Sequence, residues 1–329
     1  MLRSEIIDDP AGLEALRPHW WELWSRSPSA TPFQSPAWLV PWWRTFAPGD
    51  LATVAVWSGD DLVGLAPLYL ECQEADARLL PLGISLSDYL DVLCLPEITE
   101  PVGAVIAGSV LSIGWSQWIL PDLPAGGAGL AIRHAALETC QAVGDAACPV
   151  LSLTGDETLL TCVPARRRRQ LRRAHRAASR RGRVAIEPVL SDPQTFLDHL
   201  IRLHRARWAG HGDGVLSDSR VEEFHRQALP QLAAQALARC WLVAIGGAIV
   251  GAYYGFHHRG RAYAYLGGFD PAYADESPGA LLIGQAIRQA ICEGAEEFDF
   301  LRGQEAYKYS WGAVDRWTMR KIWTRSKGR

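Results

Sequence analysis

The sequence predicts an α+β chain of two similar modules, each a mixed, mostly antiparallel sheet flanked by helices. Three observations predict it. A chain of 329 residues suits two domains. The second half reads as two helices, three strands, a helix, a strand, a short helix and a strand, and the first half repeats that order less cleanly. Charge is also divided: residues 1–150 carry 6 Arg against 18 Asp and Glu, a net of −12, while residues 151–329 carry 27 Lys and Arg against 18 acids, a net of +9. The predicted modules are 1–155 and 156–329, the second opened by an arginine-rich helix.

The elements follow in order. Leu13, Leu16, Trp20 and Leu23 share one helical stripe. Ser35 and Pro36 open a second helix, and Pro41 predicts that it is short or kinked. "LATVAVWS" and "LVGLAPLYLEC" read as a hairpin, with "ARLLPLG" and "YLDVLCL" as two more strands. A weakly helical 100–113, the strand "WSQWILPDL", the helix "GLAIRHAALETCQA" and the strand "CPVLSL" complete the first half. Pro164 opens a long polar helix that Gly182 stops. After the strand "RVAIEPVL", helices are predicted over about 193–209 and 218–236, then the meander "RCWLVAIGG", "AIVGAYYGFHHR" and "RAYAYLGGFD". "GALLIGQAIRQAICEG" is a helix, "EEFDFL" a strand, "EAYKYSWG" a short helix and "RWTMRKIWTR" the last strand.

Composition narrows the function classes. Hydrophobic residues make up 48% of the chain, enough to bury a core. No apolar run reaches the roughly 18–20 residues of a membrane span, and "MLRSEIIDDP" lacks the basic-then-apolar pattern of a secretory signal. The seven cysteines are scattered without a C-x-x-C pair, which suits reduced thiols in a cytoplasmic protein and supports neither a zinc site nor a disulfide framework. Nine histidines fall in no H-x-x-x-H or H-x-x-E-H pattern, so no metal is expected. No G-x-S-x-G nucleophile elbow and no phosphate-binding G-x-x-x-x-G-K-[ST] loop occurs.

The meander, the helix start "SPGALLIGQAI" and then "FDFLRGQEAYKYSWGA" resemble the GNAT acyltransferase superfamily, and within it the BioF-like, CelD-type acetyltransferases related to the FemAB peptidyltransferases. Phe33, Ser35, Pro36 and Trp38 match that branch's "F.SP.W", Ser87 to Asp91 match "SDYLD", and Arg168 to Arg173 match its basic run. The resemblance implies two GNAT-like modules with the site in or near the cleft between them, and acetyl-CoA or another acyl-CoA as co-substrate.

Several residues are candidates for that chemistry. A helix start with small side chains can hold phosphates on its free amides, as Ser277, Gly279 and Ala280 would; an ordinary capped helix is the competing reading. Glu305, Lys308 and Tyr309 share one helical face. Glu305 can act as base or orient an amine, and Lys308 can neutralise an oxyanion, a phosphate or a carboxylate. The alternative is a surface ion pair. Asp299, between Phe298 and Phe300, is either solvated or faces the cleft. Asp88, Tyr89 and Asp91 suit a cationic acceptor or a simple turn. Arg207 and Trp208, near His204 and His211, and Arg302 with Tyr307 are further candidate substrate contacts. Ten arginines and no acid lie between Arg166 and Arg183 on a helix about 27 Å long. That helix is a solvated linker, a holder of CoA phosphates through residues such as Arg168 and Arg172, or a tRNA-binding face.

The expected function is direct acyl transfer to an amine of a small molecule, sugar or cell-envelope precursor. The alternatives are a FemAB-like transferase using aminoacyl-tRNA and a non-catalytic accessory protein of polysaccharide biosynthesis.

Overall fold

The computed structural model describes residues 1–73, 76–139, 142–153, 162–210, 212 and 214–325. It divides into two compact units, residues 1–146 with 317–329, and residues 147–316. The expected boundary after residue 155 lies outside the described residues.

The first unit begins with a strand absent from the sequence reading, β1 (Leu2–Ile7), which pairs antiparallel with β3. Three helices follow: α1 (Pro10–Ala15), α2 (Arg17–Arg26) and α3 (Pro36–Phe46). Pro41 does not break α3. A proline removes one backbone bond, and the burial of Trp38, Leu39, Val40, Trp42 and Trp43 outweighs that loss. The early tryptophans bury their rings and tether loops with their N–H groups. Trp20 donates to the Gln34 carbonyl at 3.0 Å and Trp24 to that of Thr31 at 2.8 Å.

β2 (Asp50–Leu51), β3 (Thr53–Ser58), β4 (Asp61–Ala66), β5 (Leu68–Gln73) and β6 (Asp76–Pro81) come next. "LVGLAPLYLEC" is therefore two strands. Pro67 has no N–H for a ladder, and the chain crosses there from the sheet β1-β3-β4-β7 to the one holding β8-β6-β5-β2. Only Leu93–Cys94 of "YLDVLCL" is extended, as β7. The helix α4 (Thr99–Val110) and strand β8 (Gln117–Leu123) follow. The predicted helix 129–142 is instead one turn, α5 (Ala128–Ala131), and a strand, β9 (Leu137–Thr139), with residues 140 and 141 outside the described set. Pairing of β9 with the last strand overrides the weak helical spacing.

β10 (Val143–Ser152) leads into the second unit. There α6 (Ala165–Arg181) is the arginine-rich helix, followed by β11 (Val184–Pro188), α7 (Pro193–Trp208) and α8 (Ser219–Ala234). The meander is β12 (Ala238–Ile245), β13 (Ala248–His258) and β14 (Arg261–Phe269). Helix α9 (Pro278–Cys292), strand β15 (Glu297–Asp299) and the single turn α10 (Ala306–Tyr309) complete the site-bearing part. The strand order is β11-β12-β13-β14-β15-β10, with β14 and β15 parallel. Alternation along β13 separates two faces. Tyr253 joins the core formed with α6 and α9, while Tyr254 meets Phe196 of α7 and His225 of α8. The final strand β16 (Val314–Arg325) pairs with β8 and β9 in the first unit.

Candidate active site

Helix α6 packs Leu171, Ala174 and Ala178 toward α9. A Cβ at Gly284 of α9 would lie 2.9 Å from the Leu171 side chain, so glycine sets how closely the helices approach. The end of α6 is pinned: Arg181 donates to the Ala272 carbonyl at 2.9 Å and to Glu276 at 3.0 Å, and stacks on Tyr273 at 3.7 Å. Between the helices runs a groove of about 540 Å³, lined by Arg167, Arg173, Arg176 and Arg180 of α6 and by Asp275, Ser277 and Ala280 at the start of α9. Among the described residues Arg173, Arg176 and Arg180 form no ion pair. Arg167 is held differently, with its guanidinium over the buried Trp311 ring at 4.2 Å.

Ser277 precedes α9 in a left-handed conformation (φ 51°) and makes no side-chain cap. Its carbonyl accepts the Ala280 and Leu281 amides at 3.0 and 3.2 Å, and Pro278 has no N–H. The Gly279 amide is left without a partner among the described residues, and a Cβ there would meet only Phe269, at 3.8 Å. A free amide at a helix N-terminus opposite three unpaired arginines forms an anion-binding groove. Arg168 and Arg172 do not line it. Sequence spacing gives both the helix and its apolar side, Leu171, Ala174 and Ala178, and the Leu171–Gly284 contact turns that side to α9.

Beside this groove lies an open strand edge. β15 pairs with β14 only through Arg261, Ala262 and Tyr263. From Ala264 to Phe269, β14 has no strand partner on that side among the described residues. At its far end Arg207 of α7 reaches Phe269, with its guanidinium 5.3 Å from that ring and 5.9 Å from Trp208. Tyr307 of α10 packs edge-on against Phe300 at 6.4 Å and lies within electrostatic reach of both Glu305 and Arg207. Burial, then Glu305, raise the Tyr307 hydroxyl to about 12, so at neutral pH it donates rather than accepts a proton. The structure thus sets the predicted Arg207 beside Trp208 and Phe269, and the predicted Glu305 and Tyr307 together at the start of α10.

Lys308 has another role. Its side chain is buried, and Nζ donates to the carbonyls of Leu301, Arg302 and Gly303 at 3.0, 2.7 and 3.1 Å while pairing with Glu305 Oε2 at 2.9 Å. Every proton of the ammonium is committed, so the structure corrects both the oxyanion-neutralising role and the surface ion pair. Lys308 holds a turn in which Leu301 (φ 60°) and Gly303 (φ 109°) have positive φ. Asp299 is buried rather than solvated, and its carboxylate accepts the Leu301 amide at 2.7 Å at the start of that turn. Arg302 is half-buried and supplies one of the clamped carbonyls.

The acidic cluster of the first unit is largely internal. Asp91 is buried and accepts the amides of Val92, Ala128 and Gly129 at 2.8, 2.8 and 2.7 Å. Burial pushes its carboxyl up to about 7 against those three hydrogen bonds. It fixes the start of α5 and does not face an acceptor. Tyr89 is buried and Asp88 half-buried. Ser87 accepts Trp38 Nε1 at 2.9 Å, so the "F.SP.W" and "SDYLD" segments join in this unit's core.

Sequence reasoning missed a buried histidine pair. His204 and His225 lie between α7, α8 and the sheet, His225 against Tyr254 and Tyr265 at 5.7 and 5.6 Å. Burial lowers His204 to about 4 and His225 to about 3, so neither is a useful base at neutral pH. A Cβ at Gly214 would lie 2.2 Å from His204, which explains the glycine. His211, the other histidine of that segment, lies outside the described residues. Among the described residues no group of three His, Cys, Asp or Glu side chains could hold a metal ion.

A three-stranded meander, a helix whose N-terminus lines the arginine groove, and a parallel strand that parts from its neighbour beside it make up a GNAT-type fold. Residues 165–309 match the acetyltransferase (GNAT) domain family, so the second unit carries a GNAT acyltransferase domain. No curated protein matches. Among solved structures, FemX aligns with a TM-score of 0.67 at 11% identity over 98% of this chain and 97% of its own. L-PGS from Bacillus licheniformis aligns at 0.58 and 13% identity, over 98% and 93%. A tandem GNAT protein from the clavulanic acid biosynthesis pathway aligns at 0.53 and 16% identity, over all of both chains. The likeness is one of fold, and it extends the GNAT-like architecture to both units.

Proposed function

We propose that the second unit transfers an acyl group from acyl-CoA, acetyl-CoA in the simplest case, to the amine of a small molecule, sugar or envelope precursor. The observation that carries this reading is the arginine groove at the N-terminus of α9, next to the unpaired edge of β14. Gly279, Arg173, Arg176 and Arg180 would hold the donor's phosphates. The backbone from Ala264 to Phe269 offers sheet-like hydrogen bonds to the amides of an extended arm. The donor supplies an activated thioester carbonyl. Around it, the chain orients the amine at the Glu305–Tyr307 end, and Lys308 keeps the 301–303 turn in place. Acyl-CoA is a cytoplasmic metabolite, and we place the reaction there. Among the described residues no helix is long and apolar enough to cross a membrane.

The test is thermal stabilisation by acetyl-CoA, followed by thiol release with an amine panel. Stabilisation that disappears in Arg173→Glu/Arg176→Glu supports the reading; no stabilisation of the wild type removes it.

One observation favours a second reading, transfer from a charged tRNA. Arg166, Arg169 and Arg172 are exposed on α6 outside the groove, and with Arg173, Arg176 and Arg180 they extend a cationic face beyond what one nucleotide needs. This reading requires a salt-sensitive tRNA complex that Arg169→Glu/Arg172→Glu abolishes.

A further inference from the structure

The fork between β14 and β15 has a closed end. The two strands pair in parallel through Arg261–Glu297, Ala262–Phe298 and Tyr263–Asp299. Past that last pair they separate. The Phe300 amide donates to the Pro149 carbonyl of β10 at 2.9 Å, and Leu301 takes a positive φ of 60°. The chain thus leaves β14 just after Asp299. Among the described residues no strand continues its line beside Ala264 to Phe269. An extended arm lying along that line is collinear with β15 and ends against Phe300.

The Phe300 ring closes the fork on the face of α6 and α9. It is buried in one cluster with Phe298 and Trp311, and Ala264 packs against that cluster. Phe298 stands edge-on to Phe300 at 5.0 Å and Tyr307 at 6.4 Å, so the ring is braced on two sides. Strand alternation turns Tyr263, also buried, to the opposite face. The first residues past the last pair are therefore a small one on β14, Ala264, and a large braced ring, Phe300.

Lengths decide what reaches that ring. The phosphate end lies at Phe269, because a Cβ on Gly279 would sit 3.8 Å from the Phe269 ring. From Phe269 back to Ala264 the edge is about 16 Å long at the rise of a parallel strand. A phosphopantetheine arm has about thirteen bonds from phosphorus to sulfur and spans about 15 Å when extended. With its diphosphate at Gly279, such an arm brings its thioester to Ala264 and its acyl group to Phe300. Each further acyl carbon adds about 1.2 Å along the same line, into the ring.

We infer that Phe300 gauges the acyl group: the site accepts a short acyl chain, of about two or three carbons, and excludes longer ones. This rests on the acyltransferase reading and names its donor class.

The experiment is calorimetric binding of CoA, acetyl-CoA, butyryl-CoA and hexanoyl-CoA to the wild type, Phe300→Ala and Phe300→Leu. The wild type should bind acetyl-CoA as tightly as CoA, and hexanoyl-CoA about tenfold or more weakly, the worth of forcing extra methylenes into a packed core. Phe300→Ala vacates the ring's space, and hexanoyl-CoA should then bind at least as tightly as acetyl-CoA. Phe300→Leu removes less and should recover butyryl-CoA; its core stays nearly filled, so it decides the matter where Phe300→Ala fails to fold. A purely structural role for Phe300 would lower all four affinities together and leave their ratios unmoved, which overturns the inference. Wild-type affinity that does not fall from acetyl-CoA to hexanoyl-CoA also overturns it, while leaving the acyltransferase reading intact. No binding of CoA or any thioester to the wild type removes both.

Discussion

The chain has 3 lysines against 30 arginines, and two of the three are buried on converging carbonyls. Lys308 gathers those of Leu301, Arg302 and Gly303; Lys321 donates to those of Leu130 and Ile132 at 2.9 and 2.7 Å. A compact ammonium directs three donors into a small space, whereas a guanidinium spreads five in a plane. The scarcity of lysine is therefore informative, but the role it marks is architectural. Lys308→Arg and Lys308→Met should each destabilise the protein by about 3 kcal/mol, since each unsatisfied buried carbonyl costs roughly 1–3 kcal/mol. Urea denaturation measures this, and a change below about 0.5 kcal/mol would contradict the clamp. The sequence offered no sign of it, because the positive φ of Leu301 is set by the tertiary turn. The spacing of Glu305 and Lys308 did reveal their ion pair, though not its burial.

At the scale of elements, the proposed donor site rests on the α6–α9 pair. Arg173→Glu/Arg176→Glu should weaken CoA binding by more than tenfold, and Arg172→Glu, off the groove, by much less; calorimetry on the three proteins separates the two faces. Periodicity made both helices legible, and Pro164 and Gly182 marked where α6 begins and ends. Its inward side is legible as well, since Leu171, Ala174 and Ala178 make one thin apolar stripe among the arginines; the partner that stripe meets, α9 at Gly284, is not. The same limit explains β9, whose partner β16 is remote in sequence, and the break at Pro67, where one apolar run serves two sheets. The α7–α8 layer carries its own pH signature. Folding holds His204 and His225 neutral, at about 4 and 3, against 6.5 when exposed. Above pH 6.5 both states are unprotonated and stability is full. As pH falls from 6.5 toward 4, the unfolded chain takes up protons that the folded one refuses, and stability drops. His225→Phe should flatten that decline in pH-dependent urea unfolding; an unchanged slope would contradict the assignment.

Across the whole molecule, the two halves of the sequence differ in charge, a net of −12 over residues 1–150 and +9 over residues 151–329. The N-terminal segments that resemble a family signature meet through Trp38 and Ser87 in the core of the first unit. Ser87→Ala removes the hydroxyl that accepts the buried Trp38 N–H and should cost about 1–3 kcal/mol in stability without altering CoA affinity. The acid-rich composition of that half is real, but Asp91 shows that an acid in the sequence need not face a substrate. The proposal assigns donor chemistry to the second unit, where the groove between α6 and the start of α9 would hold the donor's phosphates. Calorimetric titration of CoA at low and high salt tests it most directly. The account predicts one site per chain, weakened by salt and by Arg173→Glu/Arg176→Glu. Binding that is indifferent to both, or no binding at low salt, would contradict it.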